Sequence, residues 1–322
     1  MPQIEVRPFH RRDRDQLTSL VSAHAAAVVP GIGVSVAAVL SDLERQPDEF
    51  ITGPWVRERV TLVADQGHRV VAAAHLQRFF ADERAGEAFR GTGEIRWLVF
   101  WPEAPAGNPH WPDAAPAAEK LIGACVRQLE QWGVTRQDAG GELPVPGVYG
   151  VPEQWPHVRA LYEGAGFRHQ GRTEVVHLAR VEDLPRPAGP PVAGLSVRRS
   201  VGMNGTRLSA VLRDQVIGYI EVDIRQEGQR LTRHGGWADV GNLGVAEKYR
   251  RRGIATWLLG QAAGWLELGH VDRLLDYTTL DHTSLGDPDQ PDGTGYRMLL
   301  AASGFTELTR TQRAWTRTSQ GC

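Results

Sequence analysis

The feature that most limits how this 322-residue chain can fold is that its two halves repeat one order of predicted elements. In each half a predicted β-hairpin is followed by a strand, a long helix and a Gly-Phe pair. The segment LEQWGV at 129–134 answers LELGHV at 266–271, an offset of 137 residues, and Gly166-Phe167 answers Gly304-Phe305, an offset of 138. A near-constant offset over elements in the same order indicates an internal duplication. We therefore expect two domains with one fold, which the length also allows.

The repeated elements are defined by apolar periodicity and turn residues. Only the first half has room before its hairpin for two more helices, predicted at 13–28 and 35–45, whereas the second half has one short strand there, at 195–199. The repeated pairs are hairpins at 60–79 and 206–224, strands at 94–101 and 239–245, and helices at 114–132 and 256–268.

A proline-rich segment separates the two halves. Residues 184–193 contain Pro185, Pro187, Pro190 and Pro191, a composition typical of a stiff, exposed linker. The sequence therefore predicts domains at 1–183 and 194–322, joined by a linker at 184–193.

Composition restricts the class of protein and its partners. The hydrophobic fraction of 41% and charged fraction of 23% are those of a globular protein, and the net charge of −2 gives no general attraction to nucleic acid or anionic membranes. We find neither a signal-like N-terminus nor an apolar run that could span a bilayer. Two cysteines, Cys125 and Cys322, suit a reducing compartment. We expect a cytoplasmic monomer or homodimer with no nucleic-acid or membrane partner.

The sequence RRRGIA at 250–255 lies between the predicted strand and helix of the second half. A strand, a short Arg/Gly loop and a helix start bring several free backbone N–H groups to one point, where the helix dipole adds positive potential. Gly253 allows the backbone to approach a ligand closely. Such a turn favours phosphate or pyrophosphate, although a cluster of arginines can also be a merely solvated surface.

This loop resembles the coenzyme A pyrophosphate loop of the GNAT superfamily of N-acetyltransferases, whose pattern is Gln/Arg-x-x-Gly-x-Gly/Ala. Arg250, Gly253 and Ala255 fill its three fixed places, and Ser303-Gly304-Phe305 resembles the family's Gly-Phe turn. The chain as a whole resembles a tandem GNAT protein over nearly its entire length.

The resemblance implies an α/β (α+β) fold of two GNAT-like domains, each a mixed, mostly antiparallel twisted sheet flanked by helices. It also implies that the fourth and fifth strands splay apart to admit the pantetheine arm, with acetyl-CoA as co-substrate and no metal. The predicted cofactor-binding residues are Leu243, Gly244, Val245, Arg250, Arg251, Arg252, Gly253, Ile254, Ala255 and Thr256.

The first half lacks the phosphate loop. Its corresponding segment, 102–112, has four prolines, which remove N–H donors, and Glu103, which repels phosphate. We predict that this half does not hold coenzyme A productively and is a degenerate structural copy. It does carry Glu94 and the family's Tyr-x-x-x-Gly-Phe pattern at Tyr162, which we interpret as a packed tyrosine.

Candidate catalytic residues lie on the strands and helix around the second loop. Asp239, eleven positions before Arg250, resembles the catalytic glutamate that some GNAT members place at this spacing. The family's tyrosine position is occupied by Leu300, so Tyr296, one turn earlier, and Tyr277, on the predicted strand 273–280, are the candidate proton donors.

Two functions follow from this reading. The first is an N-acetyltransferase that transfers an acetyl group from acetyl-CoA to a primary amine of a small molecule, by direct attack in a ternary complex. The alternative is a non-catalytic acyl-CoA-binding or scaffold protein. The loop at 281–293, with four aspartates, is either solvated or lies at the mouth of a site for a cationic acceptor.

Overall fold

The computed structural model describes residues 3–44, 55–101, 114–171, 173–224, 236–279 and 293–318. The chain divides into two compact units: residues 1–173 with 311–322 form the first unit, and residues 174–310 form the second. Each unit contains a mixed sheet flanked by helices, so the predicted fold class is confirmed.

The described part of the chain contains fifteen strands and six α-helices. In chain order they are β1 (Ile4–Pro8), α1 (Arg14–Val28), α2 (Val36–Leu43), β2 (Val56–Gln66), β3 (Val70–Phe79), β4 (Thr92–Phe100), α3 (Ala115–Gln131), β5 (Arg136–Ala139), β6 (Val151–Pro152), α4 (Pro156–Gly164), β7 (Arg168–His169), β8 (Thr173–Arg180), β9 (Leu195–Gly202), β10 (Gly205–Leu212), β11 (Gln215–Ile224), β12 (Gly236–Val245), α5 (Ile254–Leu268), β13 (Val271–Thr279), α6 (Gly293–Ala302), β14 (Thr306–Gln312) and β15 (Trp315–Thr318).

The sheet of the first unit has the strand order β1-β2-β3-β4-β5-β15-β7. Its strands pair antiparallel except β4 and β5, which run parallel. Strand β3 is buried almost throughout, and both α1 and α3 contact it. On one face, a side chain at Gly93 would collide with Leu129 of α3, so α3 packs directly on β4.

In the second unit the strands run in the order β14-β8-β13-β12-β11-β10-β9. Strands β12 and β13 are parallel neighbours, whereas β8–β13, β11–β12, β10–β11 and β9–β10 pair antiparallel. The last two residues of β14, Thr311 and Gln312, belong to the first unit and pair there with β6. Helix α5 forms the core with β10–β13 because its apolar residues face the sheet. The core residues from α5 include Ile254, Trp257, Leu258, Leu259, Ala262, Ala263 and Leu266.

The division into units differs from the boundaries predicted from sequence at 1–183, 184–193 and 194–322. Strand β8 pairs with β13 of the second unit, whereas β15, near the end of the chain, pairs with β5 and β7 of the first. The proline-rich segment packs on α5, since a side chain at Gly260 would meet Pro185 and Pro187 at 2.8 Å. Proline content reports backbone stiffness but does not determine which sheet a distant strand joins.

Candidate active site in the second unit

The second unit has a gap between its two parallel strands. Pairing of β12 with β13 is limited to residues 236–239 of β12 and ends with Asp239 opposite Leu275. Beyond that point β12 continues to Val245 on β11, while β13 continues to Thr279 on β8. The facing edges of β12 and β13 therefore diverge, as the resemblance implied, and the predicted cofactor residues Leu243, Gly244 and Val245 lie along the gap.

A basic loop joins the open end of β12 to α5. A 3₁₀ turn at Glu247–Tyr249 comes first, and the Nε atom of Arg250 then donates to the Val245 carbonyl oxygen at 3.1 Å, which ties the loop to the strand. Arg251 and Gly253 have positive φ angles of 62° and 77°. Backbone conformations that alternate in this way turn successive N–H groups toward one concavity suited to an anion.

The first turn of α5 leaves its donors open to this concavity. Gly253 is the N-cap and supplies no capping side chain, and the first helical bond runs from the Trp257 N–H to the Gly253 carbonyl at 3.0 Å. The N–H groups of Ile254, Ala255 and Thr256 therefore have no acceptor within the helix. Lys248 and the three arginines at 250–252 are exposed around them, so the loop combines aimed donors with positive charge.

Two of the predicted catalytic residues are in direct contact. Tyr277 of β13 lies two residues beyond Leu275, the partner of Asp239, so both side chains project from the same face of the sheet. The Tyr277 hydroxyl donates to Asp239 Oδ1 at 2.9 Å. This bond orients the Asp239 carboxylate at the point where β12 and β13 separate.

The third predicted residue, Tyr296, bonds to an aspartate that sequence reasoning did not select. Its hydroxyl donates to Asp276 Oδ2 at 2.5 Å, and the Tyr277 N–H donates to Asp276 Oδ1 at 2.6 Å. Burial raises the pKa of Asp276 to about 7, and the charge of Asp239 adds to the shift. Burial, together with the charge of Asp276, also raises the pKa of Tyr296 well above 10. An acidic residue between the apolar pair Leu274-Leu275 and Tyr277 on a predicted strand was the signal that could have identified Asp276.

Asp276 should make the stability of the second unit depend on pH. Because its folded pKa of about 7 exceeds the ordinary aspartate value of 3.8, its contribution to stability is fully present below pH 3.8 and is lost as pH rises through 7. We expect Asp276→Asn to gain stability over the wild type between pH 5 and pH 9, by about 1.4 kcal/mol or more over that range. Thermal unfolding at several pH values measures this, with Asp272→Asn, an exposed aspartate of the same strand, as control. A pH-independent difference would contradict the assignment.

In the first unit, aromatic rings pack together at the end of β4. The His24 ring packs against Trp101 at 4.7 Å and Trp155 at 5.3 Å between centroids, and its Nε2 lies 2.9 Å from the Phe100 carbonyl at the end of β4. Trp155 Nε1 in turn donates to the His24 carbonyl at 3.2 Å. Burial lowers the pKa of His24 to about 4, so the ring is neutral near pH 7.

Tyr162 and Glu94, the first unit's counterparts of the family's catalytic positions, are each buried and hydrogen-bonded to another residue. Tyr162 is fully buried and its hydroxyl donates to the Gly140 carbonyl at 2.8 Å, so it is the packed, satisfied tyrosine that its pattern suggested. Glu94 accepts a hydrogen bond from Gln77, and burial raises its pKa to about 7.

Two predicted segments lie outside the described residues. They are the proline-rich counterpart of the phosphate loop in the first half, 102–112, and nearly all of the aspartate-rich loop at 281–293. Among the residues the structure does describe, no group of three His, Cys, Asp or Glu side chains is placed to hold a metal ion. Nor is any helix in that part of the chain both long and apolar enough to cross a membrane.

Sequence comparison supports the assignment of the second unit. Residues 186–284 match the model of the Acetyltransferase (GNAT) family. The matched segment contains β9–β13 and α5. No curated protein sequence matches the chain. The match indicates an acetyltransferase domain in the second unit, the one that carries the basic loop.

Three solved structures share the fold of the whole chain. A tandem GNAT protein from the clavulanic acid biosynthesis pathway is 14% identical with a TM-score of 0.59, covering 99% of this chain and 100% of its own. A GCN5-related N-acetyltransferase from Sphaerobacter thermophilus is 16% identical with a TM-score of 0.57, covering 97% and 94%.

The third is the GCN5-related glucosamine N-acetyltransferase region of a fungal multi-domain GH3 β-N-acetylglucosaminidase, 13% identical with a TM-score of 0.60. The match covers 98% of this chain but only 38% of the fungal one. These likenesses confirm the predicted tandem GNAT-type architecture.

Proposed function

We propose that the second unit transfers an acetyl group from acetyl-CoA to the primary amine of a small molecule. The observation that carries the proposal is the continuity of one site: the basic loop at the start of α5 leads along the gap between β12 and β13 to the Asp239–Tyr277 pair. A pyrophosphate at the loop would leave the pantetheine arm to follow the gap, which brings the thioester toward Asp239. In this proposal the predicted cofactor residues, 243–245 and 250–256, line that route.

Transfer by direct attack needs a neutral amine and a proton for the departing thiolate. In the proposed reaction Asp239 accepts the amine proton, directly or through water, as the C–N bond forms and the C–S bond breaks. Tyr277 is the positioning residue for that carboxylate because its hydroxyl donates to Oδ1. The proposed transfer passes through no covalent cysteine intermediate, since the only described cysteine, Cys125, lies in the first unit, where it is buried and burial raises its pKa.

The proton for the thiolate is assigned to the Tyr296–Asp276 pair. Tyr296 lies on α6 and its hydroxyl bonds to the Asp276 carboxyl group. Asp276, with a pKa of about 7, is partly protonated near neutral pH. In the protonated form its O–H can donate to the Tyr296 oxygen, so that Tyr296 gives its own proton to the thiolate as Asp276 replaces it. Tyr277 remains the second candidate donor, because its hydroxyl lies on the opposite face beside Asp239.

We further propose that the first unit holds no coenzyme A. The rings of His24, Trp101 and Trp155 occupy the end of β4 where a pantetheine arm would need space. The proposed acceptor is a small molecule and the proposed compartment the cytoplasm.

Replacement of the base tests the function. We expect Asp239→Asn to lower kcat by roughly 10²–10⁴-fold, the usual contribution of a positioned base. Coenzyme A affinity should stay unchanged, because the loop is untouched. The loss should be larger at low pH than at high pH, where more of the amine is neutral without help. The assay is thiol release from acetyl-CoA with a panel of amines.

The matched control is Asp223→Asn, which removes the carboxylate directly opposite Asp239 on β11. Equal losses in both variants would indicate a general charge effect and contradict the assignment of Asp239. Coenzyme A binding by the wild type with no turnover across the panel would favour the alternative, a non-catalytic acyl-CoA-binding or scaffold protein.

A further inference from the structure

Strand β12 carries a bulge at the entrance to the gap. Its register on β11 passes from Asn242 opposite Glu221 to Val240 opposite Val222, so Gly241 has no partner. Val240 is the first residue of β12 beyond its pairing with β13. A bulge bends the strand and redirects its backbone groups, and bulges are frequent beside active sites.

The turn between β9 and β10 sits on this bulge. A side chain at Gly241 would place its Cβ 2.4 Å from Cβ of Asn204, so Asn204 occupies the space above the glycine. Asn204 Nδ2 also lies 3.5 Å from the Gly241 carbonyl oxygen, to which it donates. Met203 and Asn204 are the only residues between β9 and β10, so this turn takes the place of the two helices that precede the hairpin in the first unit.

Glu221 holds the turn in place. Its carboxylate accepts the Met203 N–H at 3.3 Å, the Asn204 N–H at 3.3 Å, Asn204 Nδ2 at 3.2 Å and Arg207 Nε at 2.7 Å. The residue is only 1% exposed. Burial would raise its pKa, but the bonds from Arg207, Asn204 and Met203 outweigh burial and lower it. The carboxylate is therefore charged and fully engaged at neutral pH.

The first unit has a bulge at the matching place in β4, where Arg96 is the unpaired residue between Trp97 opposite His75 and Ile95 opposite Leu76. There Arg96 Nη2 donates to Glu142 at 3.1 Å. Both units thus carry this irregularity, with the Arg96–Glu142 pair beside it in the first unit and the β9–β10 turn beside it in the second.

We propose that Glu221 and Asn204 are positioning residues that hold the Gly241 bulge in one conformation. In that conformation the backbone of β12 presents fixed dipoles to the gap, where the thioester carbonyl gains negative charge during attack. This inference rests on the proposed function of the second unit. Neither side chain is required to touch the substrates, so their replacement should affect the chemical step more than binding.

The test compares Glu221→Gln and Asn204→Ala with Met203→Ala. The last is a matched control, because Met203 lies in the same turn with a 92% exposed side chain and keeps its N–H. We expect the first two variants to lower kcat by roughly 10- to 100-fold, the scale of a small misplacement of reacting groups. Their KM for acetyl-CoA and their calorimetric affinity for coenzyme A should stay within about threefold. Met203→Ala should match the wild type.

Amide hydrogen exchange of Gly241 and Asn242 gives a readout that needs no amine. We expect at least tenfold faster exchange in Asn204→Ala than in the wild type, with unchanged exchange in α5. Unchanged exchange at the bulge, or an unchanged kcat, would overturn the proposal. So would a loss of activity that only follows a lower melting temperature. A wild type that exchanges as expected but never turns over overturns the proposed function and, with it, the catalytic role of the bulge.

Discussion

Gly253→Asp is expected to abolish coenzyme A binding by the second unit. Gly253 has φ +77°, a conformation that L side chains rarely adopt, and a Cβ there would lie 3.4 Å from Pro191. The new carboxylate would stand among the N–H groups that are proposed to bind the pyrophosphate. Like charges about 4 Å apart repel by about 1–4 kcal/mol in a partly solvated site, so repulsion and backbone strain together predict a loss of about 100-fold or more.

Two control variants separate charge from shape and from global effects. Gly253→Asn has nearly the same shape without the charge, and Asn tolerates positive φ, so it should lose much less affinity. Gly264→Asp adds the same charge to α5, where the glycine faces open space. It lies eleven residues away, about 16 Å along the helix axis, and should bind as the wild type does. Calorimetric titration with coenzyme A measures all three, and wild-type affinity in Gly253→Asp would refute the loop assignment.

The basic loop and the hairpins could be predicted from the sequence because residues close together in the chain determine them. The predicted hairpin at 206–224 becomes β10 and β11 at 205–224, since alternating side chains and a turn at Asp214 specify both strands. The basic loop could be predicted in the same way, since Arg250 and Gly253 lie between a strand and an amphipathic helix. Each of these features is set by neighbours a few residues apart.

Buried polar residues were harder to recognise. Asp276 and Glu221 each interrupt an apolar strand, which is the available signal, but their roles depend on partners from distant segments. Asp276 meets Tyr296 across 20 residues, and Glu221 meets the β9–β10 turn across 17 and 18. Sequence alone gives no means of choosing such a partner among many polar residues.

Strand partners that are remote in sequence were not predictable either. Strands β8 and β15 both follow short turns and could each have completed the sheet nearer in sequence. Instead β15 lies between β5 and β7, with Trp315 opposite Ala139 and His169. Pairing between strands that are far apart in sequence depends on how the side chains pack in the complete sheet, and a local sequence pattern does not predict that packing.

Trp315→Ala is therefore expected to destabilise the first unit, although the residue follows the entire second unit in the chain. Trp315 is 1% exposed and packs against Tyr162 at 6.1 Å and His169 at 5.5 Å between ring centroids. Truncation of a buried tryptophan costs about 3–5 kcal/mol, a large part of the stability of a domain. Hydrogen exchange should accelerate in β5 and β7, while β10 and β11 keep their protection.

Thr318→Ala is the matched control, since Thr318 ends the same strand and is exposed. It should leave exchange in both units unchanged. Trp315→Phe should recover part of the lost stability because it restores most of the buried ring area. If Trp315→Ala instead accelerated exchange in β12 and β13 and spared β5, then β15 would complete the sheet of the second unit. The domain division would then run close to the proline-rich segment after all.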